Sequence, residues 1–294
     1  MSMRSRDGVL LVAHGTVENL DDLGEFLARI RGGRPAPEGF VAELRRRYEA
    51  INGSPLLAVT KSQAAHLAER LEAPVLVGMR LWEPSVEASL EAAQRAGLER
   101  LLVLPLAPFS VHVYWQAALK SQAAVREKGL ATPALVSVPP WGTHPGFVDA
   151  EAELVRAHAH PDARVVLTAH SLPLVALRAG DPYERLVRES AEAIGERIRR
   201  PFELAFQSQG EGSAEWLGPD LPTVLRRVRD EGVSRVALAP FGFLGEHVET
   251  LYDLDVEARR IAGELGLGFE RVPAVGTARG LIDALEDLAR RALG

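Results

Sequence analysis

Residues 165–172 read VVLTAHSL, and residues 9–16 read VLLVAHGT. Each is a short apolar run that delivers a histidine, His170 in the later stretch and His14 in the earlier one. Apolar runs of this length without polar alternation are those of strands buried on both faces of a parallel sheet. Around them, short Val-, Leu- and Ala-rich runs alternate with longer segments of helical period, the pattern of successive βα units. Strands are predicted at 8–13, 74–79, 100–105 and 134–138, and again at 164–169, 201–206, 234–239 and 268–272.

The two sets align in order. APVLV (73–77) answers RPFEL (200–204), GLERLLVLP (97–105) answers GVSRVALAP (232–240), and Val138-Pro139 answers Val272-Pro273. Each half then closes with a helix, HPGFVDAEAELVRA or ARGLIDALEDLARRAL. The expected fold is α/β: two similar Rossmann-like lobes, each with a four-stranded parallel sheet, facing across a cleft. Residues 1–160 are assigned to the first lobe and 161–294 to the second, with the boundary near HAHPDA. Ligands of such sheets bind outside the carboxyl ends of the strands, so both histidines stand where a ligand is expected. The first lobe carries an extra excursion over 17–55, containing DDLGEFLARIRGGRP and EGFVAELRRRYEAI, that is expected to wall or cover the ligand.

Composition narrows the chemistry. The 294 residues are 47% hydrophobic and 25% charged, with a net charge of −6. That balance argues against a general affinity for nucleic acid or anionic membrane, which need basic surface. No apolar run approaches the roughly 18 residues of a spanning helix, and no signal-peptide cleavage pattern precedes the first strand, so a cytoplasmic protein is expected. The chain is expected to be a monomer, because no long apolar surface stripe is visible. There is no cysteine, which excludes disulfides, thiolate metal sites and iron–sulfur clusters. GEG at 210–212 and GG at 32–33 are too weak for phosphate loops, and no Walker motif or dinucleotide fingerprint is present.

The densest polar set in an apolar context is FGFLGEHVETLYDLDVEARR, residues 241–260. On a helix, Glu249, Asp253 and Glu257 at i, i+4 and i+8 form one acidic stripe. Two readings fit that spacing: a solvated helix face, or a row of carboxylates that passes a cation inward or protons outward. His247, two residues before Glu249, points away from it on a regular helix and reads as a supporting group. An imidazole at a strand end, as at His170 and His14, serves either as a metal ligand and proton carrier or as a brace for the turn.

These blocks resemble the ferrochelatases, which insert Fe2+ into a porphyrin in heme synthesis. TAHSLP (168–173) and PFGFLGEHVETLYDLDVEA (240–258) carry the resemblance, and IRGGRP (30–35), GSPLL (53–57), VGMRLWEPSVE (77–87), PPWGTHPGF (139–147) and EWLGPD (215–220) extend it in order through nearly the whole chain. The resemblance implies His170 and Glu249 as the catalytic pair and metal ligands, with Asp253, Glu257 and His247 as a relay for protons or metal. It implies that Arg31, Ser54, Tyr114 and Trp216 line or approach the porphyrin. Fe2+ and a porphyrin are then the substrates, with no permanently bound cofactor.

His14 departs from that pattern, where the family usually offers tyrosine or methionine. VAHGT looks instead like the short cobalt and iron chelatases of the sirohydrochlorin branch, so His14 is assigned as a further metal or porphyrin ligand. PLAPFSVHVYW is also shorter than the family's corresponding loop. A sirohydrochlorin-type chelatase and a non-catalytic heme or metal carrier clamped by His14 and His170 remain open as alternatives.

Overall fold

In a computed structural model, which describes residues 4–210 and 214–294, the strands are β1 (Asp7–Ala13), β2 (Val75–Met79), β3 (Arg100–Pro105), β4 (Ala134–Val136), β5 (Arg164–His170), β6 (Phe202–Gln207), β7 (Arg235–Ala239) and β8 (Gly268–Arg271). They form two parallel four-stranded sheets of order β2-β1-β3-β4 and β6-β5-β7-β8. Every predicted strand is present, with ends within two residues of expectation. β1 is buried along its whole length, and β5 is buried from Val165 to Ala169. That accounts for the uninterrupted apolar runs.

The register is duplicated as well as the order. Val9 pairs with Val75 and Leu102, and Val165 pairs with Phe202 and Ala237, the residues that the aligned segments placed opposite one another. Leu102 then pairs with Val136, and Ala237 with Glu270.

Helices α1 (Leu23–Ile30), α2 (Glu38–Ala50) and α3 (Leu56–Leu71) fill the connection from β1 to β2. Then come α4 (Val86–Arg95), α5 (Val111–Glu127), α6 (Pro145–His158), α7 (Leu174–Arg178), α8 (Tyr183–Ile198), α9 (Leu221–Asp230), α10 (Val248–Leu251), α11 (Arg259–Glu264) and α12 (Arg279–Leu293). Helices α4 and α9 begin in the same way. Ser85 and Asp220 cap them by accepting from the N–H three residues on, at 3.2 and 2.8 Å, which satisfies donors that the first turn leaves free. The excursion is helical as expected, and the buried Tyr48 of α2 ties it to Thr16 through a 2.9 Å hydroxyl contact.

The compact units do not divide at 160/161. One comprises Met1–Trp141 with Leu281–Gly294, the other Gly142–Gly280. The closing helix of each half is thus exchanged: α6 packs on α8, and α12 joins the unit that holds α3. Matching ion pairs mark the exchange, Arg197 to Asp149 at 2.6 Å and Arg70 to Asp283 at 2.9 Å. An amphipathic helix needs only a complementary apolar face, and its sequence does not say which sheet supplies it. Glu211 and Gly212 of GEG lie outside the described residues. Among the described residues no helix is long and apolar enough to cross a membrane.

Candidate functional site

His170 is the last residue of β5. The backbone around it is held from three sides: Tyr183 Oη donates to its carbonyl at 2.8 Å, the N–H of Ser171 donates to Gln207 O at 2.8 Å, and the buried Ser171 Oγ donates to Leu217 O at 2.7 Å. Pro173 bridges to Trp216, which joins the backbone of EWLGPD to the same turn. Among the described residues the Trp216 Nε1 has no hydrogen-bond partner.

The loop after β7 brings the carboxylate. Ala239 O accepts from Phe241 N at 3.0 Å in a tight turn, and Gly242 N then donates to Thr168 O at 3.1 Å. A Cβ on Gly242 would stand 2.7 Å from the Cα of Ala169, so only glycine allows this approach. His247 caps α10: its Nδ1 accepts from Glu249 N at 3.0 Å, while Thr250 Oγ1 accepts from His247 N at 3.0 Å. The contact of His247 is with the Glu249 backbone. Burial keeps His247 below its ordinary pKa, against the pull of Glu249 and Glu246. A neutral ring with an unprotonated Nδ1 is the form this cap requires.

With the cap in place, Glu249 Oε2 lies 3.4 Å from His170 Nδ1. The side chains are 35% and 38% exposed, so the pair is open to a ligand. Nδ1 has no aligned hydrogen bond. Burial disfavours the imidazolium, but the carboxylates of Glu249 and Asp253 outweigh it and hold the His170 pKa above its ordinary 6.5. Phe243 stands between the two imidazoles, 6.5 Å from the His170 ring and 4.9 Å from that of His247.

The acidic stripe does not lie on a regular α-helix. Asp253–Ala258 is a π-helix, with Glu257 N donating to Tyr252 O at 3.0 Å, five residues back. The wider turn breaks the i, i+4 reading, and such bulges occur often at functional sites. Asp253 accepts from Ser208 Oγ at 2.5 Å, and Glu257 is half-buried. Among the described residues no three His, Asp or Glu side chains converge as a ready metal site.

The sequence profile of the ferrochelatase family matches residues 6–293. The chain belongs to the ferrochelatase family. It is 35% identical to a coproporphyrin III ferrochelatase of Anoxybacillus flavithermus, with 95% of this chain and 93% of the relative covered. It is also 35% identical to a ferrochelatase of Thermus thermophilus, over 97% of this chain and 98% of the relative. In fold it is similar to the solved structure of SirB from Bacillus subtilis with Fe3+, at a TM-score of 0.60 and 16% identity, covering 98% of this chain and 96% of that one.

The other residues implied by the ferrochelatase resemblance lie in the first unit. His14 follows β1 and is exposed, and its carbonyl accepts from Leu81 N at 3.0 Å. Arg31 caps α1 with its Nε buried and unpartnered, and Ser54 Oγ accepts from Leu56 N at 3.5 Å just before α3. Tyr114 is buried on α5 beneath the Arg80 guanidinium, 5.4 Å from the ring centroid. Sequence reasoning missed Gln207, whose Nε2 donates to Glu249 O at 2.7 Å, Ser208, and Glu246 with Arg271, which pair at 2.7 Å. One signal was available: GEHVE, ending at Glu249, has the form of SVHVY, ending at Tyr114, so the duplicated loop itself marks position 249.

Proposed function

We propose that this chain inserts Fe2+ into a porphyrin, protoporphyrin IX or coproporphyrin III, as a step of heme biosynthesis. The observation that carries this reading is the His170–Glu249 pair at the end of β5, an imidazole of raised basicity against a carboxylate, both open to a ligand. Insertion is a proton-for-metal exchange without electron transfer. Two pyrrole N–H protons leave, four ring nitrogens bind the iron, and the iron stays ferrous. The ring must bend for the metal to enter, so a site that binds the bent macrocycle better than the flat one lowers the barrier and favours release of flat product.

In this proposal His170 and Glu249 act as a unit. Neutral His170 receives the two pyrrole protons one after the other, releasing each to solvent before it takes the next, and the Glu249 carboxylate stabilises the imidazolium that forms each time. Glu249, Asp253 and Glu257 are hard oxygen donors suited to handing on a ferrous ion that is not to be kept. Arg31, Ser54, Tyr114 and Trp216 are proposed to contact the macrocycle, and His14 to ligate the iron.

A second reading, a chelatase for a reduced tetrapyrrole such as sirohydrochlorin, is favoured by His14 alone. The test is an anaerobic absorbance assay of the purified protein with Fe2+ and, in separate runs, protoporphyrin IX, coproporphyrin III and sirohydrochlorin. Turnover of one porphyrin supports the proposal and names the substrate. Turnover of sirohydrochlorin only replaces it with the second reading, and tight heme retention without turnover replaces it with a carrier.

A further inference from the structure

Helix α6 holds a buried carboxyl group that the proposed reaction does not use. Glu151 is 1% exposed, and among the described residues neither of its oxygens has a hydrogen-bond partner. The twin helix α12 shows what packing alone requires there. Aligned on their equivalent ion pairs, Asp149 with Asp283, FVDAE of α6 matches LIDAL of α12, and Glu151 falls on the fully buried Leu285. One copy of the helix fills this place with a leucine, so packing does not call for a carboxyl group.

Among the described residues, no cation is placed to neutralise Glu151. The charged side chains of α8 from Arg185 to Arg197, Arg235 of β7 and Arg279 of α12 are exposed, and Glu184 of α8 pairs with Arg188. The charged group whose field reaches Glu151 is Glu246, itself an acid. Both Glu246 oxygens are engaged: Oε1 accepts from Ala274 N at 2.8 Å, and Oε2 accepts from Arg271 Nη2 at 2.7 Å and Thr250 Oγ1 at 2.5 Å. A dry carboxylate facing a like charge is far less favourable than the neutral acid.

We propose that Glu151 is a protonated carboxylic acid in the folded protein at neutral pH, and that its neutrality keeps Glu246 on Thr250 and so holds the turn that presents Glu249. Glu151 is then a positioning residue for metal insertion, an assignment that rests on the function proposed above. Burial and the charge of Glu246 push its carboxyl up to about 8. Losing that proton sets a buried negative charge against the partly buried carboxylate of Glu246. The structure relieves this by drawing Glu246 away from Thr250, whose hydroxyl closes the His247 cap.

The experiment compares the full-length wild type with Glu151→Gln, which is neutral at every pH, and Glu151→Leu, which copies the twin helix. Infrared spectra between pH 6 and 10 are expected to show a protonated-carboxyl band in the wild type that fades with a midpoint near 8 and is missing in both variants. The wild-type insertion rate is expected to fall about ten-fold relative to Glu151→Gln at pH 9, one unit above that midpoint, with little difference at pH 7. Amide-exchange protection of Glu249 and Thr250 is expected to weaken above pH 8 in the wild type only. Absence of the band at pH 7, or pH profiles that coincide in wild type and Glu151→Gln, overturns the proposal. Should no tetrapyrrole be metallated at all, the functional reading fails by itself, and the band and the amide protection still decide the role of Glu151.

Discussion

Beyond its histidine, β1 continues into Gly15 and β5 into Ser171. Gly15 sits at φ 114°, with Trp82 N 3.0 Å from where a Cβ would be, and His14 beside it is exposed. Ser171 is buried and bonded across to Leu217, and His170 beside it meets a carboxylate. The loops returning from the third strand of each sheet differ by a one-residue slip. Leu106 N donates to Val12 O at 2.8 Å, whereas the matching carbonyl of Thr168 takes the N–H of Gly242, one place further on, because of the tight turn at Ala239 to Phe241. After the slip, Glu249 is delivered to His170. Without it, α5 starts at Val111 and Tyr114 packs into the first unit's core. The two strand ends are equivalent in their sheets, and the one with the shifted loop is the one at which an imidazole meets a carboxylate.

The sharpest way to break this comparison is to remove each histidine in turn. His170→Ala and Glu249→Ala are expected to lose about 10²- to 10⁴-fold in insertion rate, the usual worth of a positioned acid–base group. His14→Ala is expected to lose less than about ten-fold. Equal losses at His14 and His170 would show that the two strand ends share the chemistry.

Gly242→Ala tests the slip itself, since the matching residue of the first loop is Ala107. The added Cβ must push the loop off Ala169. About 10²-fold in rate is expected to go with the misplaced Glu249, together with about 1–3 kcal/mol of stability from overpacking. Rate assays and urea unfolding check both, and a variant of wild-type activity would dissociate the glycine from the site.

The His170 ring should titrate above 6.5, because its carboxylate neighbours outweigh burial. The imidazolium therefore persists to higher pH than in a free histidine, and the acid limb of kcat/KM should lie on the alkaline side of 6.5. Replacing Glu249 with Gln removes the largest of the raising influences and leaves burial, so the ring's midpoint, followed by proton NMR, should move to lower pH. An unmoved midpoint would mean that the pair is not coupled. The smallest effects are expected at the twin ion pairs. Arg70→Ala and Arg197→Ala should each cost about 0.2–1 kcal/mol, as partly exposed pairs do, and unequal costs in urea unfolding would show that the exchanged helices are not energetically alike.

Much of the fold is readable from short-range pattern. Strand positions follow from apolar runs and their repetition, since a buried parallel strand is recognisable from its own residues, whereas strand order and register come from the tertiary structure. His170 at a strand end and Glu249 in the polar segment stand out from their own residues, but their pairing is readable only through the resemblance of TAHSLP and PFGFLGEHVETLYDLDVEA to a family. Their own spacing, with 78 positions between them, carries no signal of contact. The i, i+4, i+8 stripe was misleading because periodicity presumes an α-helix, and the π turn at Asp253–Ala258 is not announced by any residue type.

The sequence by itself determined the α/β class, the duplication, the strand ends on which the histidines stand, and the exclusion of thiolate chemistry, all of which depend on residue identity and local period. Only the tertiary structure decided that the closing helices change units, that Gly242 must touch Ala169, that His247 caps the helix of Glu249, and that Glu151 is buried. Each of those depends on which surfaces meet across the chain, and packing at close range selects among partners that the local pattern leaves equivalent.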